Sequence, residues 1–129
     1  MSKILRCMSG CMRFLNRGVY RLELSEGRYY IGSSLNINRR ILEHKDGGGS
    51  GWTRKYNVIR ELSTITKSIS PFWELEETLK NMSIYGIDNV RGSMFTKINL
   101  TRKDKIHAAQ LYCEMENLCR KCGSSEHFY

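Results

Sequence analysis

Apolar and polar residues alternate in two short runs near the start of the chain, which is the pattern of half-buried β-strands. The first run covers residues 20–24, and the second, rich in aromatic and β-branched residues, covers residues 28–32. Gly27 lies between them and suits a tight turn. We therefore predict a β-hairpin that brings Tyr20 and Tyr30 close together.

The pattern changes to a helical period directly after the second run. Apolar residues recur at helical spacing over residues 38–45, Asn36 is a suitable N-cap, and the glycine-rich segment 46–51 ends the helix. Arg40 and His44 are four residues apart, so both side chains are expected on one face of this helix.

Further elements are predicted along the remainder of the chain. Residues 57–66 are interpreted as a third strand, residues 71–82 as a helix, residues 85–92 as a loop, and residues 102–118 as a last helix capped by Thr101. The helix over residues 71–82 has an apolar stripe that we expect to be buried: Phe72, Leu75, Leu79 and Met82.

These elements predict an α/β fold in which a small three-stranded antiparallel sheet is flanked by helices, with a helical C-terminal extension. The expected organisation is an N-terminal extension over residues 1–16, a main domain over residues 17–100, and a C-terminal helix with a Cys/His tail over residues 101–129. A chain of 129 residues fits one such domain.

Composition adds a partner class to this picture. Lysine and arginine outnumber aspartate and glutamate by 21 to 13, which gives a net charge of +8 and favours binding to polyanions. The sequence contains no apolar run of about 20 residues, so we predict no membrane span. A secretory signal is not expected, and five cysteines, an odd number, favour a reducing intracellular compartment.

Several motifs in this order resemble the GIY-YIG nucleases. They are Gly18-Val19-Tyr20, Tyr30-Ile31-Gly32, the stretch Arg39-Arg40-Ile41-Leu42-Glu43-His44 and a downstream acidic helix. Residues 85–92 are similar to a segment of GIY-YIG proteins from large DNA viruses, which would place the protein in the host cytoplasm or nucleus. Val19 replaces the isoleucine of the family name, and Ser93 stands where the viral proteins tend to have glycine.

The resemblance implies a GIY-YIG-like fold and a metal-dependent DNA endonuclease, with DNA repair or recombination as the processes served. It makes Tyr20 the general base or the group that orients the attacking water, while Tyr30 positions water or phosphate. It implies that Arg40 stabilises the charge that develops on the scissile phosphate, and that His44 contacts the phosphate or assists the proton transfer. Phosphoryl transfer needs this kind of alignment and charge stabilisation.

The family also needs one carboxylate that holds a divalent cation. Position relative to the apolar stripe favours Glu76, a match to the viral proteins favours Glu74, and Glu77 is a weaker choice. A single carboxylate with several waters suits Mg²⁺ or Mn²⁺.

Two further groups of residues are candidates for binding. Cations and aromatic rings near the glycine-rich segment suit a phosphate backbone, so we predict nucleic-acid contacts for Arg39, Trp52, Arg54, Lys55 and Arg91. The alternative for Trp52 is that it anchors the loop on the core. Near the C-terminus a C-x2-C-x4-H pattern gives three potential zinc ligands, which are Cys119, Cys122 and His127. A tetrahedral zinc site needs four ligands, and the fourth could come from Cys113, Cys7 or Cys11.

Two other functions remain open at this point. One is a catalytically inactive nucleic-acid-binding module on the same scaffold, and the other is a zinc-dependent interaction protein. The structure of the DNA substrate, duplex or branched, and the oligomeric state do not follow from the sequence.

Overall fold

The structure is a computed structural model that describes residues 18–65 and 72–117, and of Ile65 only the backbone. The strands are β1 (Gly18–Leu24), β2 (Arg28–Ser34), β3 (Val58–Ile65) and β4 (Val90–Gly92), and the helices are α1 (Ile37–Lys45), α2 (Gly51–Lys55), α3 (Trp73–Tyr85) and α4 (Arg102–Met115). Two 3₁₀ turns, Ser25–Gly27 and Ile87–Asn89, connect neighbouring elements.

The predicted hairpin is present as the antiparallel pair of β1 and β2, joined by the turn Ser25–Gly27. Gly27 has a φ of 68°, in the left-handed region that glycine adopts at no steric cost. The register places Tyr20 opposite Gly32 and Leu22 opposite Tyr30. Both tyrosines therefore lie on the same face of the sheet.

The sheet has four strands in the order β3-β1-β2-β4. β3 pairs antiparallel with β1, as predicted, whereas β4 pairs parallel with β2. The α/β fold with flanking helices is confirmed, but the interpretation of residues 85–92 as a loop missed β4. A strand of three residues is too short to show alternation.

One face of the sheet packs on α3 and α4 to form an apolar core. Its buried members are Val19, Ile31, Leu79, Met82, Val90, Phe95 and Ala108. Phe72 was predicted to lie in the buried apolar stripe of α3. The residue is instead 65% exposed, so this prediction is wrong. Phe72 is the N-cap of α3, and its backbone already leaves the helical path there.

The opposite face packs on α1 and α2, whose first turns are capped by side chains. The Asn36 side chain accepts from the Arg39 backbone N–H, as predicted. Ser50 and Thr53 form a reciprocal capping box that starts α2, a short helix that the sequence analysis did not identify. Thr101 caps α4 in the same way, together with Asp104. The caps at Asn36 and Ser50 set where α1 and α2 begin, and these two helices carry part of the candidate site.

None of the helices that the structure describes is both long and apolar enough to cross a membrane.

Candidate active site

A tyrosine and a histidine are hydrogen-bonded in the core beneath α1. The Tyr20 hydroxyl oxygen lies 2.8 Å from His44 Nε2, and each residue is 1% exposed. The Tyr30 ring packs against both, with its centroid 6.3 Å from that of Tyr20 and 4.8 Å from that of His44. A Cβ at position 32 would overlap the Tyr20 hydroxyl, so only glycine leaves room for it.

The other ring nitrogen of His44 contacts Thr53. His44 Nδ1 is 2.9 Å from Thr53 Oγ1, and that hydroxyl donates to the Ser50 carbonyl oxygen at 3.2 Å. We assign the hydroxyl hydrogen to that carbonyl, which makes the Thr53 oxygen the acceptor of the His44 Nδ1–H. His44 Nε2 is then an acceptor, and the Tyr20 hydroxyl donates to it. Position 49 must be glycine for the His44 ring to fit, since a Cβ there would overlap His44 Nδ1.

Burial sets the protonation states of this pair. Desolvation, with a smaller effect from the positive charge of Arg40, lowers the pKa of His44 to about 4. Desolvation and the neighbouring Tyr30 raise the pKa of Tyr20 well above its ordinary value. At neutral pH the pair is therefore a phenol that donates to a neutral imidazole.

Arg40 lies on the same face of α1 as His44 and brings a positive charge to the tyrosines. Its Nη1 is 2.7 Å from Glu43 Oε2, and 35% of its side chain is exposed. The hydrogen bond to Glu43, with smaller contributions from Tyr20 and Tyr30, raises the pKa of Arg40. A permanent cation thus borders the buried pair and is accessible from solvent.

Glu74, in the first turn of α3, supplies the negative charge of the site. Its Oε2 accepts from the Ser33 hydroxyl at 2.6 Å, and its Oε1 accepts from the Ser93 N–H at 3.1 Å. The charge of Glu74 contributes to the raised pKa of Tyr30, after desolvation. Glu76 lies two residues further along α3, about 200° around the helix, so its side chain points in nearly the opposite direction.

The comparisons with known proteins agree with this geometry. The family model described as the GIY-YIG catalytic domain matches residues 16–84, which is more than half of the chain and includes Tyr20, Arg40, His44 and Glu74. The chain belongs to the GIY-YIG family. GIY-YIG domains are nuclease domains, so at the level of the family the chain is an endonuclease-type hydrolase.

The GIY-YIG relatives found among curated proteins are prokaryotic. A UPF0213 protein of Halalkalibacterium halodurans is 34% identical over 65 residues, which cover 48% of this chain and 69% of that protein. A UPF0213 protein of Halobacterium salinarum is 44% identical over 36 residues, which cover 28% of this chain and 47% of that protein. No solved structure matches the chain significantly. The similarity to viral GIY-YIG proteins stays a prediction.

Two of the predicted nucleic-acid contacts are instead part of the interior of the GIY-YIG domain. Trp52 is 2% exposed, and its Nε1–H donates to the Tyr29 carbonyl oxygen at 2.9 Å. Arg91 is also 2% exposed, with the centre of its guanidinium 4.3 Å above the Trp52 ring. The guanidinium donates to four backbone carbonyl oxygens, those of Ile87, Val90, Lys97 and Ile98. Both side chains are held by contacts within the fold, so the alternative of Trp52 as an anchor holds, and the binding role of the two residues stays a prediction.

The other three predicted contacts lie on the surface of the GIY-YIG domain. Arg54 and Lys55 are exposed on α2, and Arg39 is exposed on α1, with its Nε 3.4 Å from Glu43 Oε1. Their binding role stays a prediction.

The predicted zinc ligands Cys119, Cys122 and His127 lie outside the described residues. Within residues 18–65 and 72–117, no group of three or more His, Cys, Asp or Glu side chains is arranged to hold a metal ion.

Three supporting residues of this GIY-YIG site were missed in the sequence. Thr53 orients His44, while Ser33 and Ser93 hold the two oxygens of Glu74. A signal was present for Thr53, because Ser50 and Thr53 have the spacing of a capping box. The contacts of Ser33 and Ser93 join segments far apart in the chain, so local spacing does not reveal them.

Proposed function

We propose that this protein is a divalent-metal-dependent endonuclease that hydrolyses phosphodiester bonds in DNA. The observation that carries the proposal is the hydrogen bond from the Tyr20 hydroxyl to a neutral His44, with Arg40 and Glu74 beside it. A proton acceptor, a cation and a carboxylate around one hydroxyl are the groups that phosphodiester hydrolysis needs.

The residues present fit a divalent cation at Glu74. Both carboxylate oxygens are oriented by hydroxyl and backbone donors, and the group lies close enough to influence the pKa values of Tyr20 and Tyr30. One carboxylate matches Mg²⁺ or Mn²⁺, which retain several waters when bound. When bound, such an ion stabilises negative charge on the phosphate and its leaving oxygen.

In the proposed mechanism, Tyr20 and His44 move the proton of the attacking water together. The pKa of Tyr20 is raised, so the residue cannot act as a preformed phenolate. It accepts the proton of the water only as its own proton passes to His44 Nε2, which is 2.8 Å away. The imidazolium that forms retains its Nδ1–H bond to Thr53.

Arg40 and Tyr30 act on the phosphate in this proposal. The half-exposed guanidinium of Arg40 stabilises the negative charge that grows on the phosphate oxygens. Tyr30, packed against Tyr20 and His44, positions the water or a phosphate oxygen. The net charge of +8 attracts the polyanionic substrate. We place the protein inside the cell, in DNA repair or recombination.

The test is a cleavage panel of plasmid, flap and junction DNA with Mg²⁺ or Mn²⁺. We expect the wild-type protein to cut at least one substrate, and Arg40→Ala to cut about 10²–10³-fold more slowly. Lys45→Ala is the matched control, because Lys45 is exposed on the same helix, α1, and carries the same charge. It should keep most of the activity.

The proposal is overturned if no DNA is cut with either metal, or if Arg40→Ala cuts as fast as the wild type. Salt-sensitive binding without cleavage would instead identify the protein as a nucleic-acid-binding module on the same scaffold.

A further inference from the structure

A small cationic pocket lies at the edge of the domain, away from the candidate active site. It encloses about 200 Å³ between the start of β2, helix α2, the segment before α4 and the first turns of α4. The side chains that matter for its chemistry are those of Arg28, Trp52, Tyr56, Asp88, Arg91 and Lys105.

The charged groups of this pocket do not balance. Arg28, Arg91 and Lys105 contribute three positive charges and Asp88 one negative charge, which leaves an excess of two. The carboxylate is already engaged, because Asp88 Oδ1 is 2.9 Å from Lys105 Nζ. Arg91 is held by backbone carbonyl oxygens, and burial, together with the nearby Arg28, lowers its pKa. An anion in the pocket would relieve this excess.

Arg28 has a donor without a partner in this pocket. Its Nη1 donates to the Glu26 carbonyl oxygen at 3.1 Å, and its guanidinium lies 5.0 Å from the centre of the Tyr56 ring. Its Nε is buried, and among the described residues it has no hydrogen-bond partner. A buried charged donor without an acceptor is unfavourable, and native proteins rarely leave one.

We propose that this pocket binds a phosphate group, with the guanidinium of Arg28 and the ammonium of Lys105 as the cations that hold it. Phosphate oxygens are strong acceptors for guanidinium donors, and the volume admits a group of that size. The residues that line the pocket include none of the proposed catalytic residues Tyr20, Tyr30, Arg40, His44 and Glu74. The bound group is therefore not the phosphate that is cleaved.

The phosphate comes either from the DNA backbone or from a free phosphate compound, and one experiment separates these sources. The reporter is the NMR signal of the Trp52 indole N–H, because Trp52 lines the pocket, and the indole of Trp73 is the internal control. Inorganic phosphate and a short DNA duplex are titrated separately, each against sodium chloride at equal ionic strength.

We expect a saturable shift of the Trp52 signal with inorganic phosphate, and binding at least about tenfold weaker in Arg28→Gln. Arg60→Gln removes the same charge from the exposed surface of β3, away from the pocket lining, and should bind as the wild type does. Lys105→Gln should also weaken binding, and it serves if Arg28→Gln does not fold. A shift with the duplex that depends on Arg28 would identify the DNA backbone as the source. A response to phosphate alone would identify a free compound.

The proposal is overturned if neither phosphate nor the duplex shifts Trp52 beyond the effect of sodium chloride. It is also overturned if Arg60→Gln weakens binding as much as Arg28→Gln. Because the readout is binding, a protein that cuts no DNA can still pass this test.

Discussion

The two faces of the central sheet are built from alternate residues of the same strands, yet they differ in chemistry. On the face toward α3 and α4, Val19 and Ile31 pack into an apolar core. On the face toward α1 and α2, their neighbours Tyr20 and Tyr30 are buried with His44 in a hydrogen-bonded cluster. A shift of one residue in register would exchange the two sets.

We expect the apolar core to contribute mainly to stability and the Tyr20–His44 pair to contribute mainly to function. The apolar face gains free energy from non-directional burial, so it tolerates exchanges of similar volume. The face toward α1 and α2 also buries apolar residues such as Leu22, Leu24 and Ile41, but its Tyr20–His44 pair depends on donor and acceptor geometry. A buried hydroxyl or imidazole without its partner costs about 1–3 kcal/mol. We therefore expect substitutions in the apolar core toward α3 and α4 to change stability, and substitutions that affect the Tyr20–His44 pair to change the chemistry as well.

A large effect is expected at the carboxylate. Glu74→Gln should reduce metal-dependent cleavage about 10²–10³-fold, since the amide removes the negative charge that we assign to the cation. Glu76→Gln is the matched control on the same helix and should keep its activity. Cleavage rates over a range of Mn²⁺ concentrations provide the measurement. If Glu76→Gln is the inactive variant, the assignment to Glu74 is wrong.

A large effect on stability, rather than on activity, is expected at Leu79, which is 3% exposed in the apolar core. Leu79→Ala should lower the free energy of unfolding by about 2–5 kcal/mol, because it leaves a cavity between α3 and the sheet. Urea denaturation measures this change. The cleavage rate per folded molecule should stay the same, and a large fall in that rate would contradict the separation of the two faces.

A smaller effect is expected at Thr53, which we describe as a positioning residue for His44. Thr53→Val should slow cleavage about tenfold, because it removes the acceptor that keeps the hydrogen on His44 Nδ1. Thr53→Ser retains the hydroxyl and should restore activity. NMR of the His44 ring should show the Nδ1–H form in the wild type and a mixture in Thr53→Val. An unchanged ring signal in Thr53→Val would contradict this role.

The last expected effect is a pH dependence of stability. The pKa of His44 is lowered to about 4 in the folded protein from an ordinary value of 6.5. Between these values the unfolded chain binds more protons, so stability falls as the pH falls, by about 1.4 kcal/mol per pH unit from this residue. His44→Gln should lack this component. Urea denaturation of both proteins should show their difference changing from pH 6.5 to about 4, and a constant difference would contradict the burial of a neutral imidazole.

Local patterns in the sequence were sufficient for most of the elements. Alternation over residues 20–24 and 28–32 predicted the hairpin, and the caps Asn36 and Thr101 predicted the starts of two helices. These signals are local, because strand alternation and helix caps are properties of neighbouring residues. The parallel strand β4 could not be predicted, since it depends on a partner about 60 residues away.

The same distinction applies to the candidate site. The spacing of Arg40 and His44 predicted one face of a helix, and the structure places both near Tyr20. Trp52 and Arg91 are buried, which charge and aromatic content do not reveal. Our proposal of Glu74 rather than Glu76 rests on the contacts of Glu74 with Ser33 and Ser93, which only the folded chain creates.

The central claim is that the Tyr20 hydroxyl takes part in the hydrolysis of DNA, and its removal tests this most directly. The measurement is the cleavage rate of Tyr20→Phe with Mn²⁺, compared with the wild type at equal DNA binding and equal folded fraction. We predict a rate about 10²–10⁴-fold lower, the usual contribution of a group that transfers a proton in the reaction. A rate within about twofold of the wild type would contradict the account.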